Sequence, residues 1–370
     1  MSKKLLWYLA FFLVGSFAAN QAAAAPEPAI EQKMNKIVEA AKSEGKLLVY
    51  SVLGAGSRNE MSKDFAAKYG IKVEYVVGRG NELASKLSTE RNAGLYLADG
   101  ISAGSGTQIV TLKPTGIQER LDPLLLLPEI TDPKVWIGGQ IPYLDKDHTS
   151  IALASEKNTF LIRNTNMLKE GELTSFMDLL DPKWKGKLVM HDLAITGSAN
   201  TWGSFMIKDV LGSKEKFRQY LKDLAKNEPF ITRDPRVVVE TVARGKYAVA
   251  IGSNPENVVN FLQAGSPIAV VTVREGSMIT AGAGSYSVPK RASHPNASLL
   301  FLNWLLSREG ATSFSRGMGV PSSRADVQAA QAHPSFRIDP KEKLFAESEE
   351  GVLLKDDVTK IAKEVFSVAK

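Results

Sequence analysis

Apolar and polar residues alternate along the chain with two different periods. Residues 30–43 carry apolar side chains at helical spacing, and Gly45 follows as the expected C-cap. Residues 46–52 form an almost continuous apolar run, which is typical of a strand buried on both faces of a parallel sheet. A glycine-rich loop at 53–58 separates this run from an amphipathic helix at 59–69. The order of strand, loop and helix predicts a βα unit.

The same order recurs through the chain and gives two sets of elements. The first set continues with a strand at 71–77, a helix capped by Asn81 that runs to residue 90, and a strand at 95–101. The second set has strands at 188–191, 246–251 and 268–273 and helices at 198–211 and 257–263. Repeated βαβ units imply right-handed crossovers, so we expect each set to form a mainly parallel sheet flanked by helices.

Two extended segments cross between these sets. Residues 150–163 alternate like a strand, and residues 278–289 return the chain to the first set before an apolar helix at 295–306. We therefore expect an α/β protein with an N-terminal lobe at 26–154 and 278–330, a C-terminal lobe at 155–277, and a helical tail at 331–370. Open α/β sheets bind ligands at the carboxyl ends of their strands, which predicts a ligand cleft between the lobes.

The first 25 residues have the pattern of a secretory signal peptide. Lys3 and Lys4 precede an apolar run at 5–19, which is shorter than a membrane-spanning helix, and small residues at 22–25 precede Pro26. We expect cleavage after Ala25, with cleavage after Ala24 as the alternative. The chain contains no cysteine, so neither a lipid-modified cysteine nor a disulfide is expected. These features predict export to the periplasm without a lipid anchor.

Charge and composition limit the classes of partner and cofactor. The chain has 46 Lys+Arg against 40 Asp+Glu, without a basic run interleaved with aromatic residues, so we do not expect nucleic-acid binding. The small positive excess modestly favours anionic solutes. The four histidines are isolated and no phosphate-loop or dinucleotide fingerprint is complete, so we expect neither a metal nor another cofactor.

Residues 100–104 match the G-x-S-x-G pattern of a nucleophile elbow. Under this hypothesis Ser102 would be the nucleophile of a hydrolase, and an acid and a downstream histidine would complete a triad. None of the downstream histidines, which are His148, His191, His294 and His333, lies in a recognisable motif. The segment after Ser102 also does not read as a long apolar helix. We therefore favour a protein that is not an enzyme.

Serine and glycine precede several of the predicted helices. Ser57, Ser102, Ser105 and Ser198 lie where the backbone N–H groups of a helix start are unpaired, which suits the binding of an anion. Simple N-capping is the alternative role for each serine. Arg79 lies between two glycines at a strand end, where its guanidinium would hold a carboxylate or phosphate through two hydrogen bonds, unless it is an ordinary solvated arginine.

Four stretches of the chain resemble the family 1 extracellular solute-binding proteins, in the branch that contains the ferric-ion, phosphonate and sugar-phosphate receptors. The stretches read LLVYSVLGAGS, FAAKYGIKVEYVVGRGNELASKLSTERNAG, MDLLDPKWKGKLVM and SYSVPKRASHPNASLLFLNWLLSREG. The resemblance runs from about Gly45 to Val320. It implies a type II periplasmic-binding-protein fold, whose two lobes close on a ligand about a hinge.

The resemblance also implies which residues contact the ligand. By position these are Gly56 and Ser57 after the first strand, Arg79 after the second, Ser102 and Ser105 after the third, Ser198 and Thr201 at a helix start, Ser253 and Asn254 in a later loop, and Tyr286 on the returning crossing. Ferric receptors of this branch carry adjacent tyrosines where this chain reads Gly252-Ser253-Asn254-Pro255, and a histidine near the first loop, where residues 53–58 have none. Iron is therefore not the first expectation.

We expect a monomeric periplasmic receptor that captures a small organic or phosphorylated anion by lobe closure and delivers it to the membrane permease of an ABC importer. A neutral sugar or polyol and ferric iron are the alternative ligands. The alternative functions are a sensory receptor of the same fold, which would signal to a membrane kinase, and a serine hydrolase that uses Ser102.

Overall fold

The computed structural model describes residues 27–158, 160–195, 197–327, 333–338 and 342–367. The predicted signal peptide lies outside the described residues. The strands are β1 (Lys46–Ser51), β2 (Lys72–Val77), β3 (Gly100–Ala103), β4 (Ile151–Ala152), β5 (Glu156–Lys157), β6 (Leu161–Asn164), β7 (Leu188–His191), β8 (Phe230–Thr232), β9 (Val249–Ile251), β10 (Ile268–Val270), β11 (Ser277–Thr280), β12 (Ser285–Ser287) and β13 (Leu344–Ala346).

Helices connect these strands and cover the sheets. The α-helices are α1 (Glu27–Glu44), α2 (Ala55–Tyr69), α3 (Gly80–Asn92), α4 (Pro128–Thr131), α5 (Ser198–Phe205), α6 (Lys214–Ala225), α7 (Pro235–Ala243), α8 (Pro255–Gln263), α9 (Pro295–Leu306), α10 (Arg308–Met318), α11 (Glu349–Leu353) and α12 (Lys355–Ser367). Two π-helical runs occupy Thr107–Leu112 and Met206–Leu211. Within the described residues, no helix combines the length and the apolar character that crossing a membrane requires.

The first sheet has the strand order β2-β1-β3-β12-β4. β1 pairs in parallel with β2 and β3, whereas β12 is antiparallel to β3 and β4. Both faces are covered, which explains the continuous apolar run in β1. On one face Phe65 of α2 packs edge-on against Phe301 and Trp304 of α9, and on the other Leu83 and Leu87 of α3 pack in a second cluster. We call this sheet and its helices the N-lobe.

The second sheet has the order β10-β6-β9-β7-β8. β7 is parallel to β8 and β9, and the crossing strand β6 is antiparallel to β9 and β10. Its core is built around Trp202 of α5, which is fully buried and meets the rings of Phe176, Phe217 and Tyr220. We call this sheet and its helices the C-lobe.

A third, small sheet joins the two lobes. It has the order β13-β11-β5, in which β5 and β11 belong to the two crossing segments and β13 comes from the C-terminal part of the chain. We call it the hinge sheet. Residues 342–367, which we call the C-terminal strap, continue onto both lobes. Val358 and Ile361 of α12 are buried in the C-lobe core, and Glu349 of α11 pairs with Lys113 of the N-lobe at 2.6 Å.

The predicted alternation of strands and helices is present, but several details differ. Helix α3 begins at Gly80 with Arg79 as its N-cap, so the predicted cap at Asn81 is wrong. Helix α2 begins at Ala55, four residues before the predicted start, because Gly54 is its N-cap. Residues 95–99 are not a strand, since Leu95 and Leu97 are exposed and the Asp99 carboxylate accepts the N–H of Leu48 at 2.7 Å. Elements α6, α7, α10, β8 and β13 were not predicted. The sequence of α6 nevertheless carries the helical apolar spacing Phe217, Tyr220, Leu221, Leu224.

Candidate functional site

The carboxyl ends of three parallel strands define the functional edge of the N-lobe. β1, β2 and β3 end at Ser51, Val77 and Ala103, and a helical segment begins shortly after each. These segments start at Ala55, Gly80 and Ser105. The first N–H groups of a helix have no partner within the helix, so each start presents donors at this edge. The edge is therefore suited to hydrogen-bond acceptors.

The C-lobe has an equivalent edge. β7, β8 and β9 are mutually parallel and end at His191, Thr232 and Ile251. Helices α5, α7 and α8 begin after them. Side chains of the protein cap the N-termini of α7 and α8. Asp234 accepts a hydrogen bond from the N–H of Arg236 at 2.8 Å, and Asn254 accepts one from the N–H of Asn257 at 3.1 Å. Helix α5 begins at Ser198 after Gly197, and no side chain of a described residue caps it, so among these residues its N–H groups are the least satisfied of the three.

Glu156 of the hinge sheet lies where the two edges approach each other. A side chain at Gly282 would overlap the Glu156 carboxylate, and the Gly282 carbonyl oxygen lies 3.3 Å from where a Cβ on Gly104 would be. Gly104 directly follows β3. Glu256, in the first turn of α8, is close enough to act electrostatically on Glu156. Glu156 thus connects the N-lobe edge with the C-lobe edge at the hinge.

The protonation of Glu156 is unusual. Burial, with added repulsion from the carboxylates of Glu256 and Glu347, raises the pKa of Glu156 to about 7. Near neutral pH the carboxyl group is therefore a donor in part of the molecules and an acceptor in the rest. The sequence prediction missed this residue. The signal was present, since Glu156 and Lys157 are the only charged residues of the crossing segment before Arg163.

His191 is a second residue that the site prediction missed. It is the last residue of β7 and is 4% exposed, and neither ring nitrogen has a hydrogen-bond partner among the described residues. Burial lowers the pKa of His191, so the ring is neutral at pH 7. It lies directly against the start of α5, because a Cβ on Gly197 would come within 2.9 Å of its Cε1 and 3.4 Å of its Nδ1. A neutral imidazole supplies one N–H donor and one acceptor at this place.

Several predicted ligand residues lie at the two edges. Arg79 is exposed and is the N-cap of α3, with its own N–H bonded to Glu82 at 3.0 Å. Ser105 is buried at the start of the helical run after β3. Ser198 and Thr201 lie in the first turn of α5, where the Thr201 hydroxyl donates to the Gly197 carbonyl at 3.2 Å. Ser253 is fully buried before Asn254, which caps α8.

Gly56 and Ser57 have a packing role. They lie in the first turn of α2, not in a loop, and this turn crosses α10 closely at Gly317. A Cβ on Gly56 would lie 2.6 Å from the Gly317 carbonyl oxygen, and a Cβ on Gly317 would lie 2.6 Å from the Ser57 Cα. Ser57 is 2% exposed. Ser57 packs against α10, and its contact with a ligand stays a prediction.

Ser102 and Tyr286 also lie in the core of the N-lobe. They are register partners on β3 and β12, are 2% and 1% exposed, and share a small apolar space with Met61 and Phe301. Neither hydroxyl has a hydrogen-bond partner among the described residues, and burial raises the pKa of Tyr286 well above its usual value. Alternate residues of a strand face opposite sides, and this side is covered by α2 and α9. Ser102 and Tyr286 therefore face the N-lobe core, and their ligand contacts stay a prediction.

The geometry around Ser102 lacks the features of a nucleophile elbow. The residue lies within β3 and not on a strand-to-helix turn, and its Oγ forms no hydrogen bond with a described histidine. His148 and His294 are hydrogen-bonded to Asp122 and Asp99, respectively. The first glycine of the motif accommodates the ring of Tyr286, as discussed below.

Comparison with known proteins places this geometry in a family. The family model described as a bacterial extracellular solute-binding protein matches residues 60–342, more than half of the chain. An uncharacterised protein from Haemophilus influenzae is 29% identical over 133 residues, which cover 36% of this chain. The match covers 37% of that relative's own length.

Solved structures match nearly the whole described chain. The iron- and citrate-bound protein IdiA (FutA) of Trichodesmium is 19% identical, with a TM-score of 0.69, over 87% of this chain and 99% of its own. Iron-bound HitA of Pseudomonas aeruginosa is 20% identical, with a TM-score of 0.62, over 86% and 99%. AfuA of Actinobacillus pleuropneumoniae, bound to fructose 6-phosphate, is 23% identical, with a TM-score of 0.57, over 87% and 98%.

These likenesses confirm the predicted α/β fold of the type II periplasmic binding proteins. They also confirm the family that the sequence resembles. The chain belongs to the bacterial extracellular solute-binding proteins.

Proposed function

We propose that this protein is the substrate-capturing component of an ABC importer and that it binds a small organic or phosphorylated anion between its two lobes. Ligand contact with both edges would favour the closed arrangement, which a membrane permease then reads. A ligand shifts such an equilibrium only through its preference for the closed state. Family membership supports the receptor role, and the chemistry of the two edges supports the anion.

The observation that carries the anion is the pairing of His191 with the start of α5. A helix N-terminus favours negative charge through its unpaired N–H groups and its dipole. Beneath it lies a buried imidazole whose nitrogens form no hydrogen bond of good geometry with a described residue, although the backbone of Arg233 is close enough to act on the ring. A buried donor left entirely without an acceptor costs about 1–3 kcal/mol. An anion bound at Ser198 would accept hydrogen bonds from the N–H groups at the start of α5 and from the ring of His191. Arg79 would contribute charge from the opposite lobe.

Glu156 favours a ligand that also carries donor groups. Its carboxyl group lies at the hinge, and hydroxyls of a ligand would donate to it or, when it is protonated, accept from it. A sugar phosphate combines an anion with such hydroxyls. The structural neighbour AfuA is described with fructose 6-phosphate bound, which supports the same class for this chain.

Ferric iron is the alternative that the iron-bound neighbours suggest. Hard ferric iron is best held by phenolate and carboxylate oxygens, yet residues 252–255 include no tyrosine. Over the described ranges, no three or more His, Cys, Asp or Glu side chains are grouped so that they could hold a metal ion. The hydroxyls of a neutral sugar would form hydrogen bonds with Glu156. Such a sugar would provide no negative charge for the start of α5 or for Arg79.

Titration calorimetry with fructose 6-phosphate on His191→Leu tests this proposal. The change removes both ring nitrogens but keeps an apolar side chain, so stability should be equal or higher. The affinity for fructose 6-phosphate should fall at least tenfold. Met190→Leu, one residue earlier in β7, is the control and should bind normally. An unchanged affinity in His191→Leu would remove the proposed anion position.

A further inference from the structure

A cavity of about 270 Å³ lies behind the hinge sheet, apart from the two edges described above. Its walls are mainly apolar and come from four parts of the chain. They include Ile137, Ile141 and Leu144 of an N-lobe loop, Ile279 of β11, and Leu344 and Ala346 of β13. Residues 154 and 155 of the first crossing complete it. None of the residues at the carboxyl edges of the two main sheets lines this cavity.

The cavity and Glu156 are separate within the hinge sheet. Ile279 and Thr280 of β11 both line the cavity, whereas Glu156, the register partner of Thr280, does not. A molecule in the cavity would touch both crossing segments without contacting Glu156.

The lining determines the chemical class of an occupant. Among the described residues that line the cavity, Glu347 alone is charged; it is 6% exposed, and its carboxylate accepts a hydrogen bond from Lys355 at 2.8 Å. Its charge is thus already balanced within the C-terminal strap, so an ionic ligand would gain little here. A closed cavity of about 150 Å³ is large enough to hold benzene. The hinge cavity is larger but open to solvent, and its apolar walls also carry the polar side chains of Gln140 and Thr280, so it has room for a ring with a short polar substituent.

We propose that this hinge cavity is a second small-molecule site, which takes a neutral, mainly apolar molecule of one or two rings. Both crossing segments and the C-terminal strand contribute to its walls. Lobe movement bends the crossing segments, so the shape of the cavity depends on the angle between the lobes. The residues that line the cavity are the same whichever ligand the cleft binds.

The test uses 5-fluoroindole as the probe and fluorine NMR as the measurement. We expect saturable binding to the wild-type protein that is at least fivefold weaker in Ala346→Leu, because the larger side chain fills the cavity from an exposed strand position. Ala67→Leu makes the same change on the exposed face of α2 and should bind as the wild type does. Arg79→Ala should also leave probe binding unchanged, which separates this site from the cleft.

Methyl NMR of isoleucine-labelled wild-type protein keeps the test valid if Ala346→Leu fails to fold. The probe should shift the methyl signals of Ile137, Ile141 and Ile279. The proposal is overturned if the wild type shows no saturable binding, if Ala346→Leu binds as tightly as the wild type, or if only other isoleucines respond.

Discussion

The phenol ring of Tyr286 lies over the Cα of Gly100, so that a Cβ at position 100 would come within 2.6 Å of the Tyr286 Cζ. A Cβ at Gly104 would lie 3.3 Å from the Gly282 carbonyl oxygen, which is a tight contact that a small shift relieves. Close packing between β3 and the returning crossing therefore requires the first glycine of the G-x-S-x-G pattern and favours the second. The pattern that suggested a nucleophile elbow is explained by the core of the N-lobe.

Gly100→Ala should destabilise the protein by about 2–3 kcal/mol, because the added methyl group forces the buried Tyr286 ring to move. Gly106→Ala is the matched control. Gly106 has a helical φ of −59°, and a Cβ there meets nothing within 4 Å. The control should be neutral or more stable by up to about 1 kcal/mol. Urea unfolding of both variants measures the difference, and equal stabilities would contradict this packing.

Glu156 should make stability depend on pH in the range from about 4.5 to 7. Its pKa is raised in the folded protein, so the protonated form is the one that folding favours. This contribution is fully present below the unfolded pKa and is lost as the pH rises through about 7, by up to about 3 kcal/mol. Glu156→Gln should flatten this part of the stability curve. Exposed Glu170→Gln should reproduce the wild-type curve, and a curve unchanged by Glu156→Gln would show that Glu156 titrates normally.

Lys113 should be important for the attachment of the C-terminal strap. Its ammonium group is 2.6 Å from Glu349 of the strap, 2.9 Å from Asp147 and 3.4 Å from the buried Asp145. Lys113→Met would leave the Asp145 carboxylate without its cation, and we expect a loss of about 2 kcal/mol. Lys63→Met, at an exposed position of α2, should change stability by less than about 0.5 kcal/mol. Thermal unfolding would contradict the prediction if the two variants melted together.

Arg79 should contribute to affinity and not to stability, since its side chain is exposed at the N-lobe edge. A charge-assisted pair with an anion is worth about 2 kcal/mol, so Arg79→Ala should weaken the binding of fructose 6-phosphate roughly 30-fold. Arg308→Ala removes an exposed arginine at the start of α10 and should bind normally. Calorimetry of both variants checks this, and equal affinities would place the anion elsewhere.

Periodicity was sufficient to predict the two sheets, the crossings and most helices, because strands covered on both faces are continuously apolar. It was not sufficient to assign side chains near strand ends to the cleft or to the core. Ser102 and Tyr286 face inward because of the register of β3 and β12, which is a property of long-range pairing. His191 and Glu156 gain their chemistry from burial against distant segments. Among the described strands, the three-residue β13 pairs with β11 alone, so no local pattern marks it.

The most direct test of the account is a thermal-shift comparison of the protein with fructose 6-phosphate, fructose and ferric citrate. A ligand at one hundred times its dissociation constant adds about 2.7 kcal/mol of stability. We predict a clear rise in Tm with fructose 6-phosphate and little or none with fructose at the same concentration. A rise with fructose or ferric citrate alone would contradict the anion site at His191 and the start of α5.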